Sequence, residues 1–112
     1  MEPIVERLSE TALVVLPGDS LVANNVASFK KLMEDLSRTG SKVVVDLSQV
    51  QFIDSAGCGA LLQSHKQLKE KGGGLAVCCV SPSVRALFEL VRFQRALTVY
   101  PSREAAVRAL AG

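Results

Sequence analysis

The sequence predicts an α/β domain with a mostly parallel, mixed sheet. It begins with an N-terminal hairpin, and its helices pack on the sheet in the order ββαβαβαβα. Three observations carry this. Apolar runs of strand length alternate with stretches of helical periodicity along the chain. Val43-Val44-Val45 is β-branched without a polar break, as expected of a strand covered on both faces. Turn and cap residues punctuate the runs at Pro17-Gly18, Thr39-Gly40-Ser41, Gly72-Gly73-Gly74 and Ser81-Pro82. At 112 residues the chain suits one domain with one core, taken as residues 1–112.

The elements can be justified in chain order. Ile4-Val5 and Ala12–Leu16 flank the polar turn Ser9-Glu10-Thr11 and read as a hairpin. Pro17-Gly18-Asp19-Ser20 reads as a loop. A helix then starts at Asn24 or Asn25, either of which can cap it, with Val26, Phe29, Met33 and Leu36 as its apolar stripe. After the strand at Val43–Val45, Ser55 is expected to cap a second helix with Cys58, Leu61, Leu62, His65 and Leu68 inward. The triple glycine stops it. Leu75–Val80 reads as the next central strand. Ser81-Pro82 places a cap before a proline at the first helical position, and Val84, Leu87, Phe88 and Val91 line that third helix. Leu97–Tyr100 is the last strand, and Val107 and Leu110 face inward from a C-terminal helix.

Composition excludes several function classes. The chain is 48% hydrophobic and 21% charged, as in a globular domain. A net charge of +2 with scattered cations gives no nucleic-acid footprint, and 4% aromatics without Trp give no stacking platform. No run of about 18 apolar residues predicts membrane insertion. The acidic start, Glu2 to Glu6, lacks a signal core, and neither end carries a lipidation motif. Three Cys residues without framework spacing point to a reducing compartment, so a cytoplasmic location is expected.

Catalytic constellations fail on spacing. A serine-hydrolase elbow would need glycine where Ile53 stands. The single His, His65, lies ten residues into the helix that opens at Ser55, about 15 Å along its axis, beyond reach as a base. A dinucleotide fingerprint from Gly57 and Gly59 would need a third glycine at Leu62, and an acidic residue near Val77–Cys79. Cys58, Cys78, Cys79 and His65 can be counted as a zinc set. Neighbouring residues of a strand point to opposite faces, however, so Cys78 and Cys79 are expected to diverge and to act as small buried hydrophobes. No enzyme activity, metal site or cofactor is expected. Cys58 falls in a first helical turn, where a thiolate is favoured.

What remains is Asp54-Ser55 at the start of a helix. A helix N-terminus attracts anions through free amides and its dipole. A hydroxyl there, with no base to activate it, suits the receipt of a phosphate, with the amides of Gly57 and Cys58 as expected acceptors of its charge. As an ordinary cap, Ser55 would instead be structural. Asp54 would either orient the hydroxyl or satisfy backbone donors.

The segment Asp46-Leu47-Ser48-Gln49-Val50-Gln51-Phe52-Ile53-Asp54-Ser55-Ala56-Gly57-Cys58-Gly59-Ala60-Leu61-Leu62 resembles the signature of STAS domains, of the bacterial anti-sigma factor antagonist type in particular. The resemblance continues through Gly72-Gly73-Gly74 and from Val77 to Leu90. It implies that Ser55 is phosphorylated by a partner that is both anti-sigma factor and Ser/Thr kinase. The unmodified form would bind that partner and free the sigma factor, and a PP2C-type phosphatase would reverse the modification. The implied docking surface comprises Asp54, Ala56, Gly57, Cys58 and Gly59, with Asp19, Ser20 and Asn24 from the Gly18–Asn25 loop. The alternative implied by the family is an unphosphorylated scaffold, or a subunit of a larger signalling or transport complex. The chain departs from the family pattern in three places. Gly18-Asp19-Ser20-Leu21 replaces Gly-Glu-Leu-Asp, Cys58 replaces a larger aliphatic residue, and Val91-Arg92-Phe93 replaces a glycine-closed helix end.

Overall fold

The computed structural model describes residues 2–9 and 12–111. The chain runs β1 (Ile4–Arg7), β2 (Ala12–Leu16), β3 (Ser20–Leu21), α1 (Val26–Ser37), β4 (Lys42–Asp46), β5 (Phe52–Ile53), α2 (Ser55–Glu70), β6 (Gly74–Cys78), α3 (Pro82–Leu90), a 3-10 turn (Phe93–Arg95), β7 (Val99–Tyr100) and α4 (Arg103–Ala111). The main sheet has the order β1-β2-β4-β6-β7. β1 pairs antiparallel with β2, and the other three pairings are parallel. The hairpin forms as expected, although Glu10 and Thr11 of its turn lie outside the described residues.

Period-two alternation explains how the sheet is covered. Val15, Val43, Val45, Leu75 and Val77 join Phe29 and Met33 of α1, Leu61 and Leu68 of α2, and Val84 and Phe88 of α3 in one apolar layer. The intervening Val14, Val44, Ala76 and Cys78 pack on Ala106 of α4 in a second layer. Val43-Val44-Val45 is uninterrupted because both of its faces are buried. Phe88 and Phe93 stack with centroids 4.1 Å apart and fix the 3-10 turn under α3.

Several details depart from the sequence reading, among them the last strand, expected from Leu97, which starts at Val99. Ser20, expected at the end of a loop, joins Leu21 in a strand that pairs in parallel with Phe52–Ile53 as a second, two-stranded sheet. Asn25 occupies the α1 cap position without a side-chain cap bond. Its Oδ1 instead accepts from the Val22 amide at 2.9 Å, and its Nδ2 donates to Ser20 Oγ at 2.7 Å, bracing the loop. Val91 is exposed past the end of α3 and does not line it. Finally, β6 stops at Cys78: Cys79 has left-handed backbone, φ +66°, which ends the ladder two residues before the expected Val80.

α4 is tied to the sheet by charge. Arg103 Nε donates to Asp46 Oδ2 at 2.6 Å, and its Nη1 reaches Glu6 Oε2 at 3.2 Å. Asp46 is 4% exposed. Burial works against its charge. The Arg103 guanidinium and the Ser48 amide outweigh burial and hold its carboxyl below the usual range.

Candidate functional site

The structure brings the loop between β3 and α1 against the turn that leads into α2. The β3–β5 ladder begins the junction. The Gln51 amide donates to Asp19 O at 2.9 Å, and the Asp54 amide donates to Leu21 O at 3.4 Å. Asp54 closes it: Oδ2 accepts from the Ala23 amide at 3.0 Å and Oδ1 accepts from the Gly57 amide at 3.0 Å. One carboxylate therefore caps α2 and holds the neighbouring loop. These two amide bonds keep the Asp54 carboxyl below its ordinary value.

The cap of α2 is therefore Asp54, not Ser55. Both residue types cap well. Asp54 takes the position because its extended backbone aims a carboxylate at the Gly57 amide and at Ala23 of a distant loop, with one oxygen for each amide. Ser55 becomes the first residue of the helix, exposed to solvent, and its hydroxyl makes no hydrogen bond among the described residues. The expected anion cradle is correspondingly taken. The Gly57 amide serves Asp54 Oδ1, and the Cys58 amide donates to Asp54 O at 3.0 Å.

Gly57 and Gly59 differ in kind. A Cβ on Gly57 would lie 2.1 Å from Leu21 O and 2.8 Å from Ile53 Cγ1, so the loop can close on α2 only over a glycine. A Cβ on Gly59 would meet nothing within 4 Å. Gly59 stands on the exposed face of α2, in a shallow hollow of about 290 Å³ lined by Ser55, Cys58, Leu62, Val91, Arg92 and others. Ala56 is half-buried at the first turn, and Asp19 and Asn24 are exposed on the adjoining loop. Ser20 is half-buried and engaged by Asn25. Sequence reasoning gave no individual role to Ala23 or Arg92, and it read Asn25 as a helix cap where the structure makes it the brace of the loop. Only Asn25 carried a local signal, as a turn-forming residue beside another asparagine.

Cys58 is buried, and burial, with the Asp54 charge added, pushes its thiol up, so the expected first-turn thiolate is disfavoured. His65 Nδ1 accepts from the Leu75 amide at 3.2 Å and pins α2 to β6. Burial, with Lys69 nearby, lowers the His65 pKa. No helix among the described residues is long and apolar enough to cross a membrane.

Comparison with known proteins adds to this geometry. BtrV of Bordetella bronchiseptica, provisionally named an anti-sigma factor antagonist, is 31% identical over 109 residues, covering 97% of this chain and 94% of its own. An anti-sigma F factor antagonist of Paenibacillus polymyxa is 36% identical over 58 residues, about half of each chain (52% and 50%). The crystal structure of an anti-sigma factor antagonist from Mycobacterium paratuberculosis shares the fold with a TM-score of 0.87 at 20% identity, covering 99% of this chain and 94% of that one. The anti-sigma factor antagonist SpoIIAA in its unphosphorylated form gives 0.81 at 18% identity, covering 99% and 97%. The STAS domain pattern matches residues 2–106, and with that match the chain belongs to the STAS domain family.

Proposed function

We propose that this protein is an anti-sigma factor antagonist that works by partner switching. The unmodified form binds an anti-sigma factor with Ser/Thr kinase activity. Phosphorylation of Ser55 releases it, and a PP2C-type phosphatase restores the binding form. The chain itself performs no catalysis in this scheme. The observation that carries the reading is the exposed Ser55 hydroxyl, unbonded among the described residues, beside an apolar hollow and on a loop junction fixed by Asp54. Full-length similarity to BtrV supports the class of partner.

Charge supplies the switch. A phosphate adds about −1.5 to −2 charges at neutral pH. The Gly57 and Cys58 amides already serve Asp54, so this charge stands beside a carboxylate that has taken those donors. A partner carboxylate about 5 Å away, at an effective dielectric of about 20, is repelled by about 3 kcal/mol per unit charge. Each 1.4 kcal/mol or so is tenfold in affinity, so release follows even after partial screening by salt. The scaffold is expected to change little, because the Ser55 hydroxyl bonds to none of the described residues.

Incubation with the cognate kinase and ATP, followed by mass spectrometry, tests the modification. A single phosphate on the Ser55 peptide, abolished in Ser55→Ala, is expected. Stoichiometric labelling elsewhere in folded protein, undiminished in Ser55→Ala, would refute the assignment.

A further inference from the structure

A second cluster lies on the α4 side of the sheet. Cys78, the last residue of β6, is fully buried and stands directly opposite Asp46 in the β4–β6 ladder. Regular alternation would send Cys79 to the other face. Its left-handed backbone, φ +66°, instead brings its thiol back to within 3.2 Å of Cys78 Sγ. That conformation normally belongs to glycine, or to asparagine and aspartate, and is unfavourable for cysteine. The sulfurs and an Asp46 carboxylate oxygen lie within 4.8 Å of one another, and half-buried Cys79 leaves a route in from solvent.

We propose that Cys78, Cys79 and Asp46 form a binding site for one soft divalent metal ion of the zinc and cadmium class. Two thiolates on a tetrahedral ion at about 2.3 Å lie about 3.8 Å apart, so the sulfurs need to separate by only about 0.6 Å. Binding replaces the two thiol protons, which pass to solvent. Sulfur donors select such ions over magnesium or calcium. Three protein donors leave the fourth position to water. Asp46 Oδ1 accepts from the Ser48 amide at 2.8 Å and Oδ2 from Arg103. A carboxylate offers about four lone-pair sites, so the ion can share an oxygen with either donor. Arg103 then orients the ligating carboxylate from outside, as second partners of metal ligands do. Two thiolates, the carboxylate, the guanidinium and the ion together form a neutral cluster, which suits a partly buried site.

Titration of fully reduced, metal-free protein with cadmium(II), followed by thiolate-to-cadmium charge-transfer absorption and native mass spectrometry, tests the site. One ion per chain is expected, with zinc(II) competing and magnesium(II) without effect. Cys79→Gly suits the left-handed backbone and keeps the fold. Loss of a partner outside the ligand set already costs about 10–100-fold, so loss of this ligand should weaken binding by at least about 100-fold, and Asp46→Asn by at least about tenfold. Cys58→Ala should bind as the parent does. Undiminished affinity in Cys79→Gly, or an ion held only between two chains, would overturn the proposal.

Discussion

At the residue scale the site rests on Asp54 and Gly57. Asp54 joins two segments far apart in sequence through its two carboxylate oxygens. Its folded-state pKa lies below the ordinary value of 3.8, so its stabilising contribution is complete above that value and is lost as pH falls through the folded pKa. Urea midpoints should therefore drop below about pH 4, and Asp54→Asn should flatten part of that drop. Gly57→Ala drives a methyl group into Leu21 O. It should destabilise the protein by about 1–3 kcal/mol in urea or thermal unfolding, with the loop between β3 and α1 losing amide protection first. The cap itself was only half legible in the sequence. Asp54 and Ser55 are adjacent, both cap helices, and boundaries shift by a residue. The deciding partner, the Ala23 amide, lies 31 residues away.

At the element scale, α2 carries an unexplained weakness. Gly59 sits in its interior, exposed, with no neighbour that a methyl group would touch. Gly59→Ala should stabilise the isolated protein by about 0.5–1 kcal/mol in chemical denaturation. If a partner's backbone approaches this face, the same change should weaken capture of the anti-sigma factor, which a titration against that partner would read. Elements with local signals were legible: Val43-Val44-Val45 as a buried strand, Ser81-Pro82 as a capped helix start with Ser81 Oγ accepting from the Val84 amide. The two-residue strands β3 and β5 were not, because each exists only through the other. The end of β6 was missed because a left-handed cysteine leaves no trace in hydrophobic patterning.

At the scale of the whole molecule, the sheet is held between two unequal layers. Three helices cover one face, and α4 alone covers the other, fastened by Arg103 to Asp46 and Glu6. Arg103→Ala would leave a buried carboxylate without its cation. It should cost about 2–4 kcal/mol, somewhat under a fully enclosed pair because a third of the Arg103 side chain is in water. The loss should appear in thermal unfolding and in proteolysis near α4, far from any change at Ser55. The alternation of strands and helices made the architecture legible. The Arg103–Asp46 bridge spans 57 residues and was invisible to any local reading.

The central claim is that charge on Ser55 changes partner affinity while the scaffold stays intact. Calorimetric titration of the cognate anti-sigma factor with unmodified and Ser55-phosphorylated protein tests it most directly, with amide spectra recorded on both forms. The phosphorylated form should bind at least about 100-fold more weakly, about 2.7 kcal/mol, with sheet resonances unmoved. Equal affinity of the two forms, or loss of binding accompanied by loss of the sheet, would contradict the account.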